Sequence, residues 1–193
     1  ECRRMGLKVL GPDVNESKLE FSVNAQGEVR YGLGAIKGVG QAAAEEVLNE
    51  REKNGPYSSI FDLCSRVNLR AVNKKALESM TVAGCFDFDT RYHRAHYTHK
   101  NGERDDSGVE LAIRYGTQAQ AQMLSAQGSL FGGESNSELA EPKFPNVEPQ
   151  SLLEELKAEL EVVGVYISNH PLDIYRSEYE VLRSVALADL ENY

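Results

Sequence analysis

Residues 31–51 read YGLGAIKGVGQAAAEEVLNER, and this stretch decides the fold. At its centre, Lys37-Gly38-Val39-Gly40 sets one small apolar residue between two glycines. An amphipathic helical pattern follows at once, with Ala43, Ala44, Val47 and Leu48 on one face. Before the glycines, Leu33 and Ile36 are spaced for one short helical turn. The pattern predicts a helical turn, a Gly-Val-Gly hairpin, and a second helix whose first turn begins at the hairpin.

The chemistry of such a hairpin follows from its backbone. Glycine has no Cβ, so the chain can adopt positive φ without strain and can press close to a ligand. The first N–H groups of the following helix have no partner inside it and face outward, where a phosphate oxygen can accept from them. Lys37 adds a mobile positive charge beside them. This is the pattern of a helix-hairpin-helix motif, which grips the DNA backbone without reading bases. A tight turn between two packed helices, with no ligand, has the same spacing and stays open on the motif alone. A dinucleotide-binding loop does not fit, because Gly32-Leu33-Gly34 lacks a third glycine at the right distance and no strand-helix-strand unit surrounds it. A phosphate loop of the Gly-Lys-Ser/Thr type is absent from the sequence.

Outward from this stretch, composition sets the limits. The chain has 193 residues, 41% hydrophobic and 26% charged, which suits a globular protein of one medium domain or two small ones. No 18-residue apolar run and no signal-peptide pattern occurs, so a membrane partner is not expected and a cytoplasmic address is. Three widely spaced cysteines, Cys2, Cys64 and Cys85, without any Cys-x-x-Cys, point to reduced thiols. The chain opens at Glu1 within CRRMGLKVL, which reads as a helix, and this suggests a piece of a larger protein. Net charge is −9, unevenly spread: residues 1–100 hold 15 Lys and Arg against 13 Asp and Glu, whereas residues 101–193 hold 6 against 17. A DNA contact is therefore expected in the first half.

Before the hairpin, Leu19–Val23 and Glu28–Tyr31 alternate apolar and polar residues around the turn Asn24-Ala25-Gln26-Gly27, the signature of a β-hairpin. After it, Asn54-Gly55-Pro56 stops the long helix. Ser58 or Ser59 can cap a short helix from Ile60 to Arg66, and Asn73 is a good cap for the next. Arg70, Lys74 and Lys75 crowd the entrance of that helix, where positive charge opposes the helix dipole. Either an anion binds there, as in a second, degenerate hairpin, or the turn is an ordinary solvated basic one. His93, His96 and His99 recur every third residue and could face a metal, though no carboxylate or thiol partner is fixed beside them, and no metal site is expected. A helix is expected over Leu111–Ala126 and a mobile linker after it. In that linker Leu130 and Phe131 stand as an apolar island, and burying each side chain is worth about 1.5–3 kcal/mol. They form either a docking peptide or an anchor that folds back on its own domain. Ser151-Leu152-Leu153-Glu154 is a capping box opening a helix that Gly164 closes, and His170 before Pro171 reads as a capping or packing residue.

Five stretches then occur in a telling order: GPDVNES at 11–17, YGLGAIKGVGQAAAEEVLNERE at 31–52, FDLCSRVNLRAVNKKALESMTVAGCFD at 61–87, QGSLF at 127–131 and VGVYISNHPLDIY at 163–175. Together they resemble the catalytic alpha subunits of the bacterial replicative DNA polymerases of family C. The resemblance leaves residues 91–126 unassigned. It implies a segment from the end of the fingers region through a clamp-binding domain. Lys37, Gly38, Val39 and Gly40 would hold duplex DNA as the first hairpin, and Arg70, Asn73, Lys74 and Lys75 as the second. Gln127, Ser129, Leu130 and Phe131 match an internal peptide that binds the sliding clamp (beta subunit). The catalytic aspartates, with the Mg2+ and deoxynucleoside triphosphates that the parent enzyme uses, would lie upstream. The segment itself should need no cofactor and should not polymerise DNA. Other replisome subunits would be its wider partners, at the nucleoid.

The expected fold is mainly α: an end of the fingers region with a small β-hairpin over 1–31, and a tandem helix-hairpin-helix domain over 32–100. A variable insert and mobile linker with the clamp peptide would follow over 101–150, and C-terminal helices over 151–193 leading toward an oligonucleotide-binding domain. The competing reading is an independent DNA-repair module that uses tandem hairpins without the clamp. A small enzyme built on the three histidines has no placed acid or base to support it.

Overall fold

The computed structural model describes residues 2, 4–100, 106–128 and 139–182. Seven α-helices and one small sheet occur among them. The β-hairpin forms as β2 (Ser22–Val23) and β3 (Val29–Arg30), antiparallel, with Ser22 opposite Arg30 and Val23 opposite Val29. Gly27 turns the chain at φ +79°. The stretch CRRMGLKVL forms no helix among its described residues. Its Val9–Leu10 is a strand, β1, lying parallel to β3 in a sheet of order β1-β3-β2. Gly6, at φ +73°, breaks the helical path, and the β-branched Val9 pairs with Val29.

Helix α1 (Gln41–Asn54) buries Ala43, Ala44 and Val47, the face that the spacing predicts. Gly55 ends it at φ +85°, and its N–H donates to Arg51 O. Helix α2 (Ile60–Arg66) starts at Ser59, whose side chain accepts from the Asp62 N–H at 3.0 Å. Helix α3 (Lys74–Val82) starts at Asn73, whose side chain accepts from the Ala76 N–H at 3.0 Å. Each cap satisfies an end N–H that the helix cannot.

The sheet region is not a unit apart. Val14 is fully buried in the helical core, Arg51 donates to Val14 O at 2.7 Å, and the Asn15 amide exchanges two hydrogen bonds with the Tyr57 backbone. Packing is therefore continuous across residue 31.

It is also continuous across residue 100. Helix α4 (Arg94–Thr98) leads to α5 (Gly108–Gly128), which lies along α2. Gly116 makes this approach possible: a Cβ there would stand 2.3 Å from Cys64 O, a collision with backbone. Gln120 then donates to Cys64 O at 3.0 Å and Val67 O at 2.9 Å, partnering carbonyls at the end of α2.

Residues 139–150, expected as mobile linker, instead cross the core as an extended strap. Phe144 is buried, with ring centroids 4.9 Å from Phe61, 4.5 Å from Tyr92 and 5.5 Å from Tyr97. Ser59 Oγ donates to Glu141 at 2.9 Å, and Tyr115 Oη donates to Leu139 O at 3.1 Å. The composition suggests a solvated linker, but one aromatic residue in a preformed nest holds the segment down.

The strap delivers the chain to α6 (Leu152–Val163), whose capping box of Ser151 and Glu154 forms as expected. Gly164 closes it in the left-handed conformation. A 3-10 turn over Pro171–Tyr175 and α7 (Arg176–Leu182) follow, and the His170 side chain accepts from the Leu172 N–H in a capping role. All three cysteines are free thiols.

Candidate nucleic-acid interface

The first hairpin is built by a 3-10 turn over Leu33–Ala35 and the start of α1, with Gly40 as its N-cap. Leu33, Ile36 and Val39 are buried and root the hairpin in the core, whereas Lys37, Gly38 and Gly40 are exposed. The Val39 N–H donates to Ile36 O at 3.0 Å, closing the turn. Among the described residues no acceptor reaches the N–H groups of Gly38, Gly40, Gln41 and Ala42. An anion at the end of α1 can therefore take up donors that the fold leaves free.

The two glycines are there for different reasons. Gly38 sits at φ +93°, and a Cβ on it would lie 2.5 Å from Ser79 Oγ of α3. Gly40 has φ −72°, and a Cβ there would meet no atom within 4 Å. Gly38 is required by the chain itself, while at Gly40 the fold leaves room for a side chain. Gly38→Ala is expected to cost about 1–2 kcal/mol of stability from the left-handed backbone. Gly40→Ala should cost less than about 1 kcal/mol, an N-cap effect. Equilibrium urea unfolding of both variants measures the split.

The second turn joins α2 to α3. Asn68 organises it, accepting from the Arg70 N–H through its side chain at 3.0 Å and from the Ala71 and Val72 N–H groups through its carbonyl. Arg70 is exposed on this turn. The structure separates the two lysines that follow. Lys74 is held by Glu110 of α5 at 2.8 Å and by Glu78 at 3.6 Å. The hydrogen bond that Lys74 donates to Glu110 raises its pKa and burial lowers it, and the ammonium is left above the usual lysine value. Lys75 lies elsewhere, its Cε 3.7 Å from where a Gly38 Cβ would stand. The second motif thus brings Lys75 to the first hairpin, and among the described residues no carboxylate pairs with Lys37, Arg70 or Lys75.

Of the expected clamp peptide, Gln127 belongs to the backbone of α5, while Ser129, Leu130 and Phe131 lie outside the described residues. The histidines follow the local fold. His93 is the N-cap of α4, with Nε2 3.0 Å from Val147 O on the strap, and His96 Nδ1 accepts from the His93 N–H at 3.2 Å. Burial, and then the neighbouring His93, hold the His96 imidazole below its ordinary pKa. Among the described residues no three metal-ligating side chains converge.

Sequence reasoning passes over one polar cluster. Glu159 of α6, 1% exposed, accepts from the Ile167 N–H at 2.7 Å, the Ser168 N–H at 3.0 Å and Arg94 of α4 at 3.0 Å. Arg94 also reaches Asp87 and Val82 O. Burial raises the Glu159 pKa, but hydrogen bonds from Ser168, Ile167 and Arg94 outweigh it and hold the carboxyl below the ordinary range. A glutamate on the apolar stripe of α6 is the available sequence signal, since a buried carboxylate requires donors.

The paired turns, the first opening on α1 and the second on α3, define the class: a tandem helix-hairpin-helix domain. A model described as "Helix-hairpin-helix motif" matches residues 6–97, which spans the sheet and both turns. The chain is homologous over nearly its whole length to one segment of DNA polymerase III subunit alpha. It is 39% identical over 191 residues to the Haemophilus influenzae protein, covering 98% of this chain and 16% of that one. It is 41% identical over 193 residues to that of Treponema pallidum, covering 100% and 16%. The Escherichia coli K12 protein is 34% identical over 181 residues, covering 93% and 15%. The chain thus spans about a sixth of the length of these relatives, which are named as subunits of a DNA polymerase. Among the described residues no helix is long and apolar enough to cross a membrane.

Proposed function

We propose that this chain binds duplex DNA through its backbone, without sequence preference, as part of the catalytic subunit of a bacterial replicative polymerase, and that it tethers that polymerase to the sliding clamp. The observation that carries the duplex reading is the Gly38–Gly40 hairpin, with free N–H donors at the start of α1 and Lys75 of the second motif seated against it. Donors and cations of this kind fix a protein on phosphates but carry no base code. The homology supports a polymerase context over a free-standing repair module. No polymerising step and no cofactor are assigned to this segment.

Gly40→Ala tests the duplex reading. Because a Cβ there meets nothing in the protein, any loss of affinity reports on a ligand that approaches the backbone. Fluorescence anisotropy with a labelled duplex should show weaker binding by Gly40→Ala while unfolding is little changed. Equal affinity for wild type and variant contradicts close phosphate approach at Gly40.

The clamp reading rests on the Gln127-Gly128-Ser129-Leu130-Phe131 peptide. A tether raises the effective concentration of polymerase at the primer end even when its own affinity is weak. Leu130→Ala/Phe131→Ala should abolish binding of the chain to purified sliding clamp, measured by surface plasmon resonance. Absence of wild-type binding at high micromolar concentration removes the clamp from the account and leaves the hairpins in place.

A further inference from the structure

The last carbonyls of an α-helix have no partner within it. At the end of α6 two of them are taken by the segment that carries the first hairpin. The Lys37 N–H donates to Val162 O at 2.8 Å. The Tyr31 hydroxyl donates to Val163 O at 2.9 Å and shares its proton with Ala35 O at 3.1 Å. Tyr31 and Lys37 bracket the 3-10 turn over Leu33–Ala35, so both ends of that turn are tied to α6. Tyr31 is 6% exposed, which leaves water little room to replace its bond. The helix that receives these bonds is itself fixed by Glu159 to Arg94 and to the 167–168 backbone.

We propose that Tyr31 is a positioning residue for duplex binding: through Val163 it holds the Gly38–Gly40 hairpin against the end of α6, and so α6 sets the posture of the phosphate-binding amides. The inference rests on the duplex reading above. It makes α6 part of the nucleic-acid-binding unit, although α6 lies more than a hundred residues downstream of the hairpin and outside the 6–97 motif. Helix and hairpin then order together. Duplex affinity depends on a hydroxyl that never meets DNA.

A matched pair of substitutions tests this. Tyr57 is also buried, and its hydroxyl donates to Val47 O at 2.8 Å within α1. Tyr31→Phe deletes a hydroxyl shared by Val163 O and Ala35 O, and Tyr57→Phe one that bonds Val47 O alone, so the thermal unfolding temperature should fall in both. Duplex affinity, read by anisotropy well below the unfolding transition, should fall about fivefold in Tyr31→Phe, the worth of one typical hydrogen bond, and stay at the wild-type value in Tyr57→Phe. Amide hydrogen exchange supplies a second readout: the Lys37 N–H, bonded to Val162 O, should exchange faster in Tyr31→Phe only. Equal affinity losses in the two variants, or wild-type affinity in Tyr31→Phe, overturn the inference alone. Failure of the wild type to bind duplex overturns it together with the duplex reading.

Discussion

Glu159→Ala is expected to lower the unfolding free energy by about 2–4 kcal/mol, because it strands the Ile167 and Ser168 N–H groups and takes from the Arg94 guanidinium one of its two carboxylate partners, leaving Asp87. The carboxylate does three things at once: it pairs with Arg94 of α4, accepts the Ile167 and Ser168 N–H groups, and so fixes the chain that leaves α6. Removal strands donors on two elements, and unsatisfied buried donors carry their full desolvation cost. An apolar pair, Glu159→Leu with Arg94→Met, should recover only part of the loss, since the Ile167 and Ser168 N–H groups stay unsatisfied and Asp87 loses Arg94. The same group gives a pH dependence with a defined sign. Its folded pKa lies below the ordinary carboxylate value, so its contribution is fully present above the unfolded pKa of about 4.3 and is lost as pH falls through the folded one. Urea midpoints measured from neutral to acid pH should converge for wild type and Glu159→Gln at the acid end. Midpoints that stay equally far apart throughout would show that folding does not shift the Glu159 pKa.

Phe144→Ala is expected to cost about 3 kcal/mol, toward the lower end for a buried phenylalanine because a strap can relax more than a helix. The ring packs on Phe61 of α2, Tyr92, and Tyr97 of α4, so the strap closes over helices that are far away in sequence. With the anchor gone, residues 139–150 should become accessible to protease while α1 to α3 keep their hydrogen-exchange protection. Unchanged cleavage of 139–150 would show that Ser59–Glu141 and Tyr115–Leu139 hold the strap without the ring.

What the sequence makes legible here is local. The hairpin glycines, the caps at Ser59, Asn73 and Ser151, the stop at Gly55 and the turn around Gly27 each depend on a few neighbouring residues, and each forms as the spacing predicts. What stays hidden is settled by residues far apart. Val9–Leu10 becomes a strand because β3 is there to pair with, although its neighbours can be written on a helical wheel. Residues 139–150 read as linker because one phenylalanine is a weak signal until its nest exists. Gly116 is the contact point of α5 with Cys64, and nothing in the spacing around it points to that partner. The candidate site divides in the same way. Gly38, Val39 and Gly40 are visible as a motif, whereas spacing alone cannot show that Glu110 takes Lys74 while Lys75 lies at Gly38.

Duplex binding as a function of salt reports directly on phosphate contacts at the two hairpins. If Lys37, Arg70 and Lys75 each neutralise a phosphate, log K against log salt concentration should fall with a slope of about −3, near −0.9 for each contact. Lys37→Ala/Lys75→Ala should reduce the slope by about 2 and weaken binding uniformly across duplex sequences. A slope near zero, or one that the double substitution leaves unchanged, would contradict a phosphate-binding face at the two hairpins.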